Sequence, residues 1–229
     1  RQLLSVGFAL LCGAALASAV PGRAEVKKVI GSATVAKAAG GSSSITQGMV
    51  LSSGDTVTTG AGSTVDLDLG LNGDALRIDP DTTLKLDVLD IGNISQRTVT
   101  TSMSLSKGNV TGNVIAKLSA ASKYEIKTAA GVAGIRGTIY RLTAGGRLTV
   151  ASGSVIFNFT LNGVQQSVTV LPGQQFTIGD AAPTAALPRI VQGIIEVAAQ
   201  VAKGSLPPSV LPNYSITDTG NPLSVSISR

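Results

Sequence analysis

The sequence contains no histidine and no tryptophan, and its single cysteine, Cys12, lies close to the start. Without histidine the chain cannot assemble a Ser-His-Asp or Cys-His catalytic site from its own residues, and it lacks the commonest metal ligand. Aromatic residues make up only 3% of the 229 residues, so few rings are available to stack on sugars or bases. We therefore predict that the protein is not an enzyme and has neither a cofactor nor a metal site.

Glycine and aliphatic residues are plentiful by contrast. The chain has 27 glycines, and 43% of its residues are hydrophobic. That glycine content exceeds the usual ~7%, and the apolar fraction is sufficient to build a core. The composition favours a scaffold of strands joined by turns.

The first segment has the pattern of a secretory signal peptide. Residues 3–16 form an apolar run after Arg1, and residues 17–19 (Ala-Ser-Ala) supply the small side chains of a cleavage site. We predict a signal peptide over residues 1–19, with an alternative cut after residue 24, and hence a periplasmic or extracellular location. A retained membrane anchor is the alternative, because extension to Val20 brings the run to the lower limit of a bilayer span.

The body of the chain alternates between apolar and polar residues, as half-buried strands do. Clear examples are residues 65–69, 84–88 and 155–159, and Asn72-Gly73 and Asn162-Gly163 between such runs are hairpin signals. We predict an all-β domain over residues 25–180, built as a short-strand sandwich or a solenoid-like wrap.

One amphipathic helix is predicted at residues 187–203, where apolar residues recur at helical spacing. We expect it to cap the open edge of the β core, with docking of a partner as the alternative. Residues 204–229 form a proline-rich tail, and the alternation at 223–227 suggests an edge strand in this chain or in a neighbour's sheet.

The most specific stretch is residues 128–140, with the sequence Thr-Ala-Ala-Gly-Val-Ala-Gly-Ile-Arg-Gly-Thr-Ile-Tyr. It is preceded by Gly54-Asp55-Thr56-Val57-Thr58-Thr59-Gly60 and followed by Val150-Ala151-Ser152-Gly153-Ser154-Val155 and Pro172-Gly173-Gln174. In this order the segments resemble the FecR domain over residues 48–179. The resemblance implies an extracytoplasmic, all-β, non-enzymatic interaction domain.

The best-known members of that family are periplasmic sensor-regulators of iron uptake, which connect an outer-membrane receptor to a cytoplasmic sigma factor through one membrane span. Other members are exported proteins with this domain alone, and the sequence resembles this second kind. A membrane-anchored sensor-regulator with a further N-terminal domain is the alternative.

The central motif supplies the candidate site residues, which are Gly131, Gly134, Arg136, Gly137 and Thr138. Glycines at every third position let the backbone bend sharply or approach another chain closely. We interpret Arg136 as a structural arginine bonded to carbonyls or to a strand carboxylate, with an anion or a partner's carboxylate as the alternative ligand.

Charge is unevenly distributed along the chain. Residues 55–90 contain eight aspartates against Arg77 and Lys85, whereas residues 91–150 contain eight basic residues against Glu125. We interpret the two segments as solvated strand faces that pair with each other. A basic face for an anionic glycan, a lipid headgroup or a protein is the alternative.

The paired carboxylates Asp66 and Asp68, and Asp79 and Asp81, are interpreted as solvated. Calcium binding and an aspartate-dependent glycoside hydrolase are remote alternatives. The expected partner is a protein or an envelope component, with an anionic glycan as the alternative. We expect no nucleic acid, and a membrane only if the N-terminal segment stays uncleaved.

Overall fold

The structure is a computed structural model that describes residues 20–93, 98–114, 118–205, 213–217 and 224–228. The predicted signal peptide, residues 1–19, lies outside these ranges. The described residues are mostly β-strands, which in chain order are β1 (Val20–Pro21), β2 (Ala24–Ile30), β3 (Ala33–Ala36), β4 (Ser42–Ser44), β5 (Val50–Leu51), β6 (Thr56–Thr59), β7 (Thr64–Gly70), β8 (Asp74–Ile78), β9 (Thr83–Asn93), β10 (Thr98–Lys107), β11 (Asn109–Asn113), β12 (Lys123–Lys127), β13 (Gly131–Thr143), β14 (Leu148–Leu161), β15 (Val164–Val170), β16 (Gln174–Phe176) and β17 (Thr184–Ala185). The helix α1 (Pro188–Ser205) follows, and then β18 (Asn213–Thr217) and β19 (Ser224–Ser228).

Strand pairing joins all the strands from β1 through β17 into one curled sheet with two halves. We call the first half sheet A, in the order β4-β3-β6-β9-β10-β12-β13-β14-β15, with β1 also paired to β9. The second half, sheet B, has the order β5-β2-β7-β8-β11-β13-β14-β16-β17. The pairing of β10 with β12 is parallel, and the others are antiparallel. The prediction of an all-β fold with one C-terminal helix is confirmed.

The two halves share the long strands β13 and β14 and one hydrophobic core. Residues 131–136 of β13 pair in sheet A, and residues 139–142 pair in sheet B. Before β13 the chain passes repeatedly from one half to the other, so both halves contribute alternate side chains to the interior. The core is mainly aliphatic, with the rings of Phe157, Phe159 and Phe176 clustered at centroid distances of 5.4–6.3 Å.

Both predicted hairpins are present. Asn162 and Gly163 have φ angles of 52° and 78° and join β14 to β15 by a two-residue turn, as expected for an Asn-Gly type I′ turn. Asn72-Gly73 lies in the connection from β7 to β8, where Gly70 pairs with Asp74.

The helix α1 covers the outer face of sheet B, so the expectation that it caps an open edge of the core was wrong. Its apolar side, Val191, Ile194, Ile195 and Ala198, forms a second buried cluster with Ile139 of β13 and Ala151 of β14. The sheet face offers a wide apolar area, whereas a strand edge offers mainly backbone groups.

Within the described residues no helix has the length and apolarity needed to cross a bilayer.

The tail contains a small sheet of its own. The strand expected at residues 223–227 is β19, and it pairs antiparallel with β18 of the same chain.

Candidate interaction site

The central motif lies on β13 at the corner where this strand passes from sheet A to sheet B. Arg136 pairs with Ser154, but the next paired residue, Ile139, is opposite Ser152, so the register shifts between them. Gly137 has a φ of 64° and Gly153 on β14 has a φ of 74°, values that glycine adopts without strain. The predicted sharp bend is therefore present, as a bulge that turns both strands together.

Thr138 holds this corner in place. Its side chain is buried, and its Oγ1 donates a hydrogen bond to the backbone oxygen of Ser154 at 3.0 Å. Its backbone oxygen accepts a hydrogen bond from the backbone N–H of Val114, also at 3.0 Å. A Cβ on Gly153 would collide with the backbone oxygen of Gly137. Gly137 and Thr138 thus serve the fold.

The other two glycines of the motif differ from each other. A Cβ on Gly131 would lie 2.5 Å from the backbone oxygen of Asn158, so close strand packing requires glycine there. A Cβ on Gly134 would have its nearest neighbour, the backbone oxygen of Ile156, at 3.6 Å, an ordinary contact. Space does not require glycine at 134, and its absent side chain leaves the backbone of sheet A accessible beside Arg136.

Arg136 is exposed, and its side chain makes no hydrogen bond or ion pair with the described residues. The structure therefore does not supply the carbonyl or carboxylate partner that the structural interpretation of Arg136 requires. On the outer face of sheet A, Ser154 of β14 lies directly opposite Arg136. One step along β13, Gly134 lies between Ile156 of β14 and Glu125 of β12. Ile156 is 50% exposed, so a cation and an apolar side chain lie side by side.

The lysines of the neighbouring strands already have acidic partners. Glu125 on β12 lies 3.0 Å from Lys123 Nζ and 3.7 Å from Lys127 Nζ, and Asp87 lies 3.7 Å from Lys127 Nζ. Ser104 Oγ also donates to Asp87 at 2.6 Å. Arg136 thus makes no ion pair with the described residues, and the nearby Glu125 is engaged by Lys123 and Lys127.

The opening Gly-Asp motif is structural. The buried carboxylate of Asp55 accepts hydrogen bonds from Lys37 Nζ at 2.8 Å and from the backbone N–H groups of Ala38 and Ser52 at 3.0 Å. Burial acts to raise the pKa of Asp55, but these hydrogen bonds outweigh it, and the net pKa is lowered. Gly54 has a φ of 89° and lets the chain turn against Ala38.

The carboxylates considered for catalysis or calcium are not all solvated, which corrects the sequence-based interpretation. Asp66 is buried and accepts two hydrogen bonds from Arg77, at 2.6 and 2.8 Å. Asp79 is also buried and accepts one from Arg141 at 2.8 Å. Burial raises the pKa of Asp79 despite the opposing charge of Arg141. No group of three or more acidic or cysteine residues within the described ranges is placed to hold a metal ion.

These contacts also show how the two charged segments meet. Arg141 and Lys127 come from the basic segment, and their partners Asp79 and Asp87 come from the acidic one. The interpretation that the segments pair with each other holds for these ion pairs.

A cleft of about 580 Å³ lies at the β14–β15 hairpin beside the start of the motif. It is lined by Thr128, Gly131, Asn158, Thr160, Gln165, Ser167 and their neighbours, and all its described lining residues are uncharged. The cleft thus offers hydroxyl and amide groups, which can form hydrogen bonds with a ligand.

Ser154 and Ile156 were missed as neighbours of Arg136 in the sequence. The alternation of residues 154–160 shows that they share one strand face, but only the register of β13 against β14 brings that face beside Arg136. The bulge at Gly137 sets this register, and no local sequence pattern predicts the position of the bulge.

Comparison with known proteins supports the resemblance found in the sequence. Residues 55–156 match the family model described as "FecR protein". Two crystal structures, at 1.65 and 2.50 Å resolution, of "a putative anti-sigma factor" from Parabacteroides distasonis are similar, each with 13% identity over 61% of this chain and a TM-score of 0.46. The aligned part spans 64% and 63% of those chains. No curated protein matches.

Proposed function

From the FecR domain that residues 55–156 form, we propose that this protein is a non-enzymatic, extracytoplasmic binding module that contacts a protein partner through the face around Arg136. The observation that carries the proposal is the exposed Arg136 without a partner. Gly131, Gly137 and Thr138 of the same motif are used by the fold, whereas Arg136 satisfies nothing within the described chain.

The chemistry of this face defines the partner. A guanidinium offers a planar set of donors that suits a carboxylate, and two parallel hydrogen bonds can form. The exposed Ile156 beside it favours an apolar neighbour, and Gly134 allows a close backbone approach. The fitting partner is an exported or outer-envelope protein that presents an aspartate or glutamate next to an apolar side chain.

The non-enzymatic part of the proposal is supported by the state of the candidate carboxylates. Asp66 and Asp79 are held by arginines, and the cleft at the β14–β15 hairpin is lined by uncharged side chains. A purified sample that hydrolyses a glycoside, with activity lost in Asp68→Asn, would contradict this part.

The test compares Arg136→Ala with Arg147→Ala in capture experiments on envelope extract. Arg147 is an exposed arginine at the other end of the same hairpin, and its side chain likewise makes no hydrogen bond or ion pair with the described residues. We expect the wild-type protein and Arg147→Ala to retain the same envelope component and Arg136→Ala to lose it. Equal retention by all three proteins would refute the role of Arg136.

Stability measurements distinguish a loss of binding from a loss of folded protein. Replacement of an exposed, unpartnered side chain changes the free energy of unfolding by less than about 0.5 kcal/mol, so Arg136→Ala should unfold at the same urea concentration as the wild type. A loss above about 1 kcal/mol would show that Arg136 supports the fold after all.

An anionic glycan offers the same carboxylate chemistry as a protein. Digestion of the envelope extract with protease separates the two sources. Loss of the Arg136-dependent capture after digestion supports a protein, and its persistence assigns the site to a glycan.

A sensor-regulator of the FecR type is the second candidate, favoured by the family match itself. This function requires a membrane span and a further domain. Fractionation of cells with an antibody against the β domain distinguishes the two, because retention in the inner membrane favours the regulator and release of a shortened chain favours the exported module.

A further inference from the structure

One edge of sheet A is unusually open. Within the described chain the halves of the curled sheet end at four strands, and three of them are short: β4 has 3 residues, and β5 and β17 have 2 each. The fourth, β15, has 7 residues and pairs with β14 alone. Short edges limit unwanted strand pairing, whereas a long regular edge is a template for another strand.

The strand β15 also lacks the features that usually protect an edge. Its sequence, Val-Gln-Gln-Ser-Val-Thr-Val, contains no charged residue and no proline. Its register against β14 runs without a bulge from Val164 to Val170. Lysines, prolines and bulges are the common means of preventing edge-to-edge contact, and β15 has none of them.

The hairpin geometry shows which backbone groups are available. Leu161 and Val164 flank the two-residue turn and form a hydrogen-bonded pair, so every second residue of β15 from Val164 onward bonds to β14. The backbone N–H and C=O groups of Gln165, Ser167 and Thr169 therefore point away from β14. No described group bonds to them.

We propose that β15 pairs antiparallel with β15 of a second copy of this chain, centred on Ser167. In this register Gln165 of one copy is opposite Thr169 of the other, and all seven residues are paired. Because β15 has no charge, self-pairing brings no like charges together, and there is no charge on the edge that would select a different partner. The resulting dimer is a continuous sheet through the two-fold axis.

The dimer also affects the Arg136 face. The two-fold axis is perpendicular to the sheet, so both copies present the outer face of sheet A on the same side. From β13 of one copy to β13 of the other there are five strand spacings, or about 24 Å at ~4.8 Å each. Arg136 lies level with the residue after Val170, four residues from Ser167. The two arginines are therefore also offset by about 27 Å along the strands at ~3.4 Å per residue, and their backbones lie roughly 36 Å apart. A partner with two acidic sites at that separation would bind the dimer more tightly than the monomer.

Register-specific charge variants of the full exported chain, measured by sedimentation velocity, test the proposal. Ser167→Lys places two lysines opposite each other, and Gln165→Lys with Thr169→Lys places two lysine pairs across the interface. Both should weaken dimerisation at least tenfold. Gln165→Glu with Thr169→Lys places opposite charges across the interface and should retain the dimer. All substituted side chains are exposed, and circular dichroism with thermal melting confirms that each variant is folded.

Three outcomes would overturn the proposal. The first is a wild-type chain that stays monomeric at about 100 μM. The second is dimerisation by the lysine variants as strong as that of the wild type, which would place the interface elsewhere. The third is slow amide exchange at Gln165, Ser167 and Thr169 in a monomer, which would show that another segment of the same chain covers the edge.

Discussion

The buried ion pair beneath helix α1 offers the sharpest test of what stabilises sheet B. The side chains of Asp66 and Arg77 are 5% and 12% exposed, and two hydrogen bonds of 2.6 and 2.8 Å join them. Gln200 of α1 accepts a further hydrogen bond from Arg77 at 3.4 Å. The hydrogen bond with Asp66 raises the pKa of Arg77, which keeps it charged. Arg77→Met removes these donors but keeps a side chain of similar length.

The expected loss follows from the carboxylate that remains. An unpaired buried charge costs about 3–5 kcal/mol. Lys28 lies opposite Asp66 on β2 and can partly compensate, so we expect the lower end, about 3 kcal/mol. Asp66→Leu combined with Arg77→Met removes both charges and should lie within about 1 kcal/mol of the wild type, since apolar replacements of buried pairs are often neutral.

Urea unfolding at pH 7, with the slope of each transition fitted, measures these free energies. Lys85→Met is the matched control, because Lys85 is half exposed and lies 3.8 Å from Asp87, and such surface pairs contribute about 0–1 kcal/mol. A loss below about 1 kcal/mol for Arg77→Met, or a double variant as unstable as the single one, would refute the reasoning.

Three further predictions concern the corner, acid stability and the tyrosine core. Gly153→Ala should lower the free energy of unfolding by about 3 kcal/mol, because the new Cβ would combine a positive φ with a collision. Gly163→Ala, whose Cβ would have no atom within 4 Å, should lower it by only about 1 kcal/mol. Equal losses in the two variants would contradict this. The pKa of Asp55 is lowered in the folded state, so this carboxylate stabilises the protein above its unfolded pKa of about 3.9. Between about pH 5 and pH 2, urea unfolding should therefore show a larger fall in the free energy of unfolding for the wild type than for Asp55→Asn. Burial, with a smaller contribution from Tyr124, raises the pKa of Tyr140 well above its usual value, so absorbance titration should show that Tyr140 ionises only with alkaline unfolding; reversible ionisation in the folded state would contradict the burial.

The fold class could be predicted because its signals are local. Alternation of apolar and polar residues marked β7, β9 and β14, and Asn162-Gly163 marked the turn between β14 and β15. The helix was predictable from its apolar stripe. These patterns depend only on which side chains face inward, and residues close together in the sequence are enough to show this.

What could not be predicted depends on pairing between distant strands. The alternation shows that Asp66 and Asp68 share a face, but the burial of Asp66 comes from Arg77 on β8 and from the helix above it. The exposure of Arg136 likewise depends on the bulge at Gly137. A sequence of short strands fits many sheet orders, and the position of α1 on a face instead of an edge follows from that order.

The repeated passage of the chain between sheets A and B has a consequence for folding. Neither half can be obtained by cutting the sequence at a single loop, because every long fragment takes strands from both. The domain is therefore expected to unfold in one cooperative step, and many of its pairings, such as β2 with β7, close long loops. Proteins dominated by such non-local contacts fold in milliseconds to seconds, so the nascent chain passes through a period in which its strands are still unpaired.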